Sequence, residues 1–373
     1  MKRSFIREIL ESINKDTISF AGGLPDESLF PIKDLKEANI KVYDKANNLQ
    51  YSVSSGLDSL KEKIANFYNK DGFETTKENI LITTGSQQAL YIIARYFNNR
   101  DIIIEEPSYL GAINIFRANL LNMKGVKLNY DGIDLNSFED SFKKIKLAYL
   151  IPDYQNPTGA CYNKYNREMI AKIVLKNGGY IIEDAPYSNI YFKNKQKPIS
   201  SLIPNNTFHL GSFSKILSPS FRVGWIRANK DIILKLTQIK ETIDLHTSTI
   251  SQLTIDNYLE DESRFNNHLK IIRLNYLDKL EYFKNSLNKF LPEFKYTTPK
   301  GGMFIYGTLD NLDTFKLVKQ CLRENVAFVP GNQFYLDKSS FNSEIRFNFT
   351  NTAKDKVDIG LEKIAKIVDT LKI

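Results

Sequence analysis

Lys215 is a candidate nucleophile because of the residues that precede it. It ends the pentapeptide Gly-Ser-Phe-Ser-Lys at residues 211–215, just after a short apolar segment at residues 207–210. A partly desolvated lysine beside such a turn can have a lowered pKa and can attack an aldehyde to form a Schiff base. A lysine taken at random is a solvated surface residue, so this interpretation needs support from other residues.

Two further polar groups follow apolar segments in the same way. Asp184 comes directly after residues 180–183, with Tyr187 three residues further on, and Asn156 lies in a Gln-Asn-Pro-Thr-Gly sequence after residues 147–151. A carboxylate beside a pyridine ring would keep the ring nitrogen protonated and make the ring an electron sink. The ordinary interpretation of such an aspartate is a buried N-cap.

A third group could bind a phosphate. Ser86 and Gln87 lie where a strand is predicted to become a helix, so backbone N–H groups and the helix dipole would favour an anion there. Ser212, Ser214 and Arg222 would add two hydroxyl groups and a bidentate guanidinium. Each feature is ordinary alone, but together they predict a ring of polar side chains at one edge of a sheet.

The apolar segments that position these residues predict an α/β fold. Most are continuous rather than alternating, which is typical of strands buried on both faces of a parallel sheet. Helix-length segments, such as 87–97 and 165–176, separate them. Ligands bind at the carboxyl ends of strands in such sheets. The predicted strands are 80–84, 101–105, 127–130, 147–151, 180–183, 207–210 and 222–227.

The two ends of the chain have a different pattern. A chain of 373 residues exceeds the ~250–300 residues at which one hydrophobic core stops growing. We therefore predict a large domain at residues 35–260 and a smaller α+β domain that combines residues 1–34 with residues 261–373. After residue 231 the predicted helices are 232–240, 250–258, 265–290 and 354–372, with strand-like segments at 302–307 and 344–350.

The composition argues against several classes of protein. Two cysteines and three histidines without ligand-like spacing predict neither a disulfide framework nor a metal site. The sequence has no run long enough to span a membrane and no secretory signal, so we expect a cytoplasmic protein without membrane contacts. The net charge of +8 is compatible with nucleic-acid binding, but lysines on solvated faces explain it more simply.

Eight short motifs occur in the order found in one family. With them the chain resembles the class I, fold-type I aminotransferases that use pyridoxal 5′-phosphate, and most of all the subgroup of 2-aminoadipate and kynurenine aminotransferases. The resemblance implies a mostly parallel, seven-stranded sheet covered by helices, beside the smaller domain. The motifs lie at residues 19–25, 49–51, 82–90, 106–109, 155–159, 211–215 with 222–224, 299–304 and 344–346.

The resemblance also implies the roles of the cofactor-binding residues. Lys215 would hold the cofactor as a Schiff base and move the proton, while Asp184 would keep the ring nitrogen protonated. Tyr187 and Asn156 would bind the phenolic oxygen of the ring, and Tyr109 would stack on its face. The phosphate would be bound by Ser86, Gln87, Ser212, Ser214, Arg222 and, from the second subunit of a homodimer with shared sites, Tyr51.

Substrate recognition is implied in the same way. Arg346 would bind the α-carboxylate of an amino acid or 2-oxo acid through two parallel hydrogen bonds that a lysine could not make, with Asn156 and the backbone of Gly23 completing the site. Arg7, helped by Ser4, would reach the distal carboxylate of an acidic substrate; an exposed helix arginine is the alternative. Glutamate and 2-oxoglutarate are the default substrate pair of the family.

Three further expectations remain open at this point. Relatives often have cis bonds before the prolines of two motifs, which predicts cis bonds at 106–107 and 156–157. Asp153 stands where relatives usually have a neutral residue and would add negative charge near the carboxylate site.

Two alternative functions need to be considered. A carbon–sulfur β-lyase could use the same residues. An effector-type regulator would need a DNA-binding domain, for which a match beginning at Ser4 leaves no room.

Overall fold

The structure, a computed structural model, describes residue 9, residues 14–339 and residues 342–371. The strands are β1 Ile18–Ser19, β2 Ile80–Thr83, β3 Asp101–Glu106, β4 Asn122–Asn129, β5 Gly132–Ile133, β6 Leu147–Leu150, β7 Tyr180–Asp184, β8 Thr207–Ser212, β9 Gly224–Arg227, β10 Lys295–Tyr296, β11 Phe304–Thr308, β12 Val326–Ala327, β13 Val329–Pro330 and β14 Glu344–Asn348. The helices are α1 Ile32–Ile40, α2 Asp58–Lys70, α3 Ser86–Tyr96, α4 Leu110–Ala118, α5 Leu135–Phe142, α6 Lys164–Asn177, α7 Lys230–Asp244, α8 Thr249–Tyr258, α9 Glu262–Phe290, α10 Thr314–Arg323 and α11 Lys354–Leu371.

The large sheet has the strand order β2-β9-β8-β7-β6-β3-β4-β5. All seven predicted strands are present, and the two-residue strand β5 adds an antiparallel edge. Every residue of β2, β6 and β8 is buried, as their continuous apolar sequences predict. β4 begins at Asn122, five residues before the predicted start, because its polar first half pairs with β3 while staying largely exposed.

The direction of the strands brings the candidate residues to one edge. β3, β4, β6, β7 and β8 are parallel, whereas β9 runs antiparallel to both β8 and β2. β2 therefore points the same way as β8, and the start of β9 lies where these two strands end. Gly224 accordingly pairs with Thr83 on one side and with Ser212 on the other.

The C-terminal part of the chain forms two smaller sheets. β10-β11-β14-β13 is antiparallel, and β1 pairs with β12 in parallel. The N-terminal segment thus returns to the C-terminal part: the Phe20 N–H donates to the Ala327 carbonyl and the Asn348 N–H donates to the Phe20 carbonyl. The domain boundaries at 34/35 and 260/261 remain a prediction. No helix of the described residues is long and apolar enough to cross a membrane.

Candidate active site

Lys215 ends the short 3-10 helix Phe213–Lys215, which follows β8 directly. Its Nζ donates to the carbonyl of Gly23 over 2.6 Å. Burial lowers the pKa of Lys215 to about 8, and the charges of Arg346 and Arg222 act in the same direction. The amine is therefore a far better nucleophile near neutral pH than an ordinary lysine.

Asp184 lies at the carboxyl end of β7 and is 3 % exposed. Its Oδ2 accepts a hydrogen bond from the hydroxyl of Tyr149 over 2.8 Å, whereas Oδ1 is buried without a hydrogen-bond partner among the described residues. Burial raises the pKa of Asp184 to about 7, against the opposing effect of the Tyr149 hydrogen bond. An N–H donor or a cation at Oδ1 would satisfy this carboxylate.

Arg346 comes from β14 of the smaller sheet and meets the large sheet at Asn156. Its Nη1 donates to Asn156 Oδ1 over 2.7 Å, and Nη2 donates to the carbonyl of Ala21. The guanidinium carbon lies 4.5 Å from the ring centroid of Phe304 and 5.1 Å from that of Phe334. Burial lowers the pKa of Arg346 to about 10, so the guanidinium stays cationic at neutral pH.

The hydroxyl of Tyr187 also reaches Asn156, with which it forms a side-chain hydrogen bond. The ring of Tyr187 packs edge-on against Phe304, with the centroids 5.8 Å apart. Tyr109, at the start of α4, needs the glycine at position 111, because a Cβ there would lie 2.4 Å from its Cζ. The structure therefore brings Asn156, Tyr187 and Arg346 together.

The predicted phosphate-binding residues surround the start of α3. Gly85 precedes this helix with a φ of 79°, and a Cβ on it would lie 2.4 Å from Nη2 of Arg222. Arg222 donates from Nη1 to the hydroxyl of Ser214 over 3.4 Å, and the Ser214 N–H donates to Ser212 Oγ over 3.1 Å. Ser86 is the first residue of α3 and is half-buried. The result is a cradle of backbone and side-chain donors.

Two of the predicted phosphate-binding residues are exposed to solvent, and the predicted residues for a distal carboxylate are not described. Gln87 is exposed on α3. Tyr51 is 81 % exposed and packs edge-on against His246, with the centroids 5.9 Å apart. Arg7 and Ser4 lie outside the described residues, so the structure gives no account of either side chain.

Glu105, the next-to-last residue of β3, is a buried carboxylate that several donors share, here called the Glu105 hub, and it was not predicted from the sequence. Its carboxylate accepts hydrogen bonds from the Ile151 N–H (2.9 Å), the Tyr162 hydroxyl (2.6 Å) and Gln155 Nε2 (2.9 Å). Burial raises the pKa of Glu105 to about 7. The hub fixes the turn that carries Asn156. A glutamate at the end of an otherwise apolar strand was the available signal.

Both predicted cis peptide bonds are present, at Glu106–Pro107 and Asn156–Pro157. The expectation for Asp153 needs a correction, because its charge is not free to act on a carboxylate site. Asp153 forms an ion pair with Arg167, Oδ1 to Nη2 at 2.6 Å, and both side chains are only 3 % exposed. The negative charge of Asp153 is therefore compensated by Arg167.

These residues fit pyridoxal 5′-phosphate on structural grounds. The unpartnered Oδ1 of Asp184 matches a protonated ring nitrogen, and the cradle at Gly85 and Arg222 matches a phosphate. Lys215 supplies an amine of lowered pKa for the aldehyde. Among the described residues, no cluster of histidine, cysteine, aspartate and glutamate could hold a metal ion.

Comparison with known proteins decides the family. The model of the family "Aminotransferase class I and II" matches residues 15–364. The chain belongs to this family. Aromatic-amino-acid aminotransferase 1 of Thermococcus litoralis is 33 % identical over 99 % of this chain and 92 % of its own length.

Two solved structures are similar over the whole chain. Kynurenine aminotransferase of Pyrococcus horikoshii has a TM-score of 0.93 and 31 % identity, and the match covers 100 % of this chain and 95 % of the other. α-Aminoadipate aminotransferase of Thermus thermophilus, complexed with N-(5′-phosphopyridoxyl)-L-leucine, has a TM-score of 0.92 and 32 % identity, with 100 % and 96 % covered. The protein is therefore a fold-type I aminotransferase whose cofactor is pyridoxal phosphate.

Proposed function

We propose that this aminotransferase moves an amino group between an L-amino acid and a 2-oxo acid, with Lys215 as the residue that binds the cofactor covalently, and with glutamate and 2-oxoglutarate as one substrate pair. One observation carries the proposal: Arg346 Nη2 binds the Ala21 carbonyl while Lys215 Nζ binds the Gly23 carbonyl. The two cations thus contact carbonyls two residues apart. A substrate held by its α-carboxylate on the guanidinium would present its Cα to the amine.

Proton transfer at Cα is the task of Lys215. When bound, pyridoxal phosphate supplies the electron sink for the electron pair left at Cα. A lysine pKa of about 8 leaves a useful fraction of Nζ unprotonated near neutral pH, so the amine can take the Cα proton and hold it for return. As a carboxylate, Asp184 would keep the ring nitrogen of the cofactor protonated, through the Oδ1 atom that is unpartnered among the described residues.

Arg346 selects the α-carboxylate. Its guanidinium lies close to the rings of Phe304 and Phe334 and is tied to Asn156, so its plane is set before substrate arrives and little conformational entropy is lost on binding. Its fork geometry matches a carboxylate through two N–H groups. We assign the α-carboxylate to Arg346, Asn156 and the backbone of Gly23.

The remaining cofactor contacts follow the cluster described above. Tyr187 and Asn156, which bind each other, are suited to the phenolic oxygen of the ring, and Tyr109 to its face. Tyr51, exposed in one chain, is suited to a phosphate in the second subunit of a homodimer. The phosphate of the same subunit is assigned to Ser86, Gln87, Ser212, Ser214 and Arg222.

For the second carboxylate of an acidic substrate we propose Arg7, helped by Ser4. Named relatives act on different substrates, among them aromatic amino acids and 2-aminoadipate, so the family alone does not choose. The Arg7→Ala variant should weaken use of 2-aminoadipate and glutamate much more than use of leucine and phenylalanine. Equal losses for all four amino acids would contradict the assignment.

Absorbance of the purified enzyme with a panel of amino acids tests the proposed reaction. We expect glutamate to abolish the absorbance band of the lysine-bound cofactor, which lies near the short-wavelength end of the visible range. One equivalent of 2-oxoglutarate should form at the same time. Release of pyruvate and ammonia from a sulfur-containing amino acid, without a matching oxo acid, would indicate a β-lyase instead. If the Lys215→Ala variant still showed this absorbance band, the assignment of Lys215 would be wrong.

A further inference from the structure

A cavity borders strand β8, three residues of which (His209, Gly211 and Ser212) line it. It has a volume of about 170 Å³ and lies between α2, the segment after β7 and the first turns of α9. Lys215, Asp184, Tyr187, Asn156 and Arg346 do not line it. The cavity is therefore separate from these five residues, and it shares only Ser212 with the residues assigned to the phosphate.

One part of the cavity wall is apolar and aromatic, and the rest carries polar and charged side chains. Phe73, Trp225, Phe265 and Leu269 line it, and each is at most 7 % exposed. An apolar cavity of about 150 Å³ holds one benzene molecule. The volume and this apolar part of the wall therefore suit a molecule with a single aromatic ring.

The cavity is also lined by a buried histidine. His209 lines it and is 7 % exposed. The Trp225 indole N–H donates to the Tyr68 hydroxyl over 2.7 Å, and this hydroxyl lies 2.8 Å from Nδ1 of His209. Because the hydroxyl already accepts from the indole, we assign its own proton to the bond with Nδ1. Burial lowers the pKa of His209 to about 3, and the neutral ring then carries its proton on Nε2. Among the described residues, Nε2 has no hydrogen-bond partner.

The charged groups around the cavity compensate one another. At the mouth, Lys195 pairs with Asp71 and Lys70 pairs with Glu262. Deeper, Asp153 lines the cavity while its Oδ1 is held by Arg167. With no unpaired cation among these groups, nothing offsets the cost of desolvating an anionic ligand. This favours an uncharged ligand.

We propose that this cavity is a second small-molecule site, which takes an uncharged single-ring aromatic or heteroaromatic molecule whose hydrogen-bond acceptor faces His209. Ala185 and Ser212 belong to its lining, and they adjoin Asp184 and the helix of Lys215.

Pyridine and benzene are matched probes, because they share shape and differ by one acceptor atom. The chain has one tryptophan, Trp225, so the single indole N–H signal in a ¹H–¹⁵N spectrum of the holoenzyme reports on this cavity. At mildly alkaline pH, where pyridine is uncharged, we expect saturable shifts of that signal with both probes. Absence of a saturable shift with pyridine would overturn the proposal.

Two variants separate the hydrogen bond from the volume. His209→Phe keeps an aromatic side chain without the donor and should weaken pyridine at least about tenfold more than benzene. Leu269→Phe fills part of the cavity, leaves His209 in place and should weaken both probes. Equal weakening of the two probes by His209→Phe, or unchanged affinities in Leu269→Phe, would refute the site; the second variant decides alone if the first does not fold.

Discussion

Arg346 and Asn156 join the smaller sheet to the large one through a hydrogen bond of 2.7 Å between Nη1 and Oδ1. The two residues are 190 positions apart in the sequence. Each has a proposed role in binding, one for the substrate carboxylate and one for the cofactor ring. Their contact means that the orientation of the guanidinium depends on the turn after β6.

We expect Arg346→Lys to lower kcat/KM for amino acids about 10- to 100-fold, since hydrogen bonds to charged groups contribute about 1.5–3 kcal/mol and an ammonium cannot reproduce the planar fork. Steady-state kinetics with glutamate measures the effect. The exposed residue Arg323, changed to Lys, is the control and should behave as the parent enzyme. A variant with unchanged KM and kcat would remove Arg346 from substrate binding.

The lowered pKa of Lys215 predicts how cofactor capture depends on pH. Below pH 8 the amine is mostly an ammonium ion and is not nucleophilic, so the rate at which cofactor-free protein captures pyridoxal phosphate should rise through about pH 8 and then level off. Stopped-flow absorbance measures this rate.

Lys240 is the matched control for that experiment, because it too is buried with a lowered pKa but is paired with Asp244. After reduction with borohydride, peptide mapping should find the cofactor on Lys215. A label on Lys240, or a midpoint near that of an ordinary lysine, would contradict the assignment.

Removal of the Tyr149 hydroxyl should shift the acid side of the pH–rate profile. Its hydrogen bond to Oδ2 lowers the pKa of Asp184, so Tyr149→Phe should raise that pKa. As the pH falls, Asp184 would then become protonated at a higher pH than in the parent enzyme. We expect the acid limb of kcat/KM to move to higher pH, with little change on its alkaline plateau. A uniform loss at every pH would indicate damage to the fold instead.

The Glu105 hub should matter to stability and to the site together. In Glu105→Gln, an NH₂ group faces a hydrogen-bond donor, and we expect a loss of about 2 kcal/mol or more in the free energy of unfolding. The activity should fall as well, because the turn with Asn156 loosens. Denaturant unfolding and kinetics measure both.

Glu106→Gln is the neighbouring control, since Glu106 Oε1 accepts a hydrogen bond only from the Leu336 N–H among the described residues. Its loss should be clearly smaller. Comparable losses in the two variants would show that the number of donors around Glu105 is unimportant.

The strands could be predicted because burial on both faces requires continuous apolar sequence, as in β6 and β8. These predicted strands placed Lys215 and Asp184 at strand ends, and the motif resemblance then implied their roles. The contacts of Glu105, Asp153 and His209 could not be predicted, because each depends on a tertiary partner that local sequence does not specify. Asp153, for example, looks like an unpaired charge until α6 brings Arg167 against it.

The antiparallel strand β9 limits how far related chains can vary in length between β8 and β9. Ser212 pairs with Gly224, so residues 213–223 begin and end at fixed points, and they carry both Lys215 and Arg222. One residue inserted between Lys215 and Arg222 would leave both strands paired and would still change the position of the Lys215 amine relative to the Arg222 guanidinium. Insertions in this closed loop should therefore be excluded, even where surface loops elsewhere in the protein accept them.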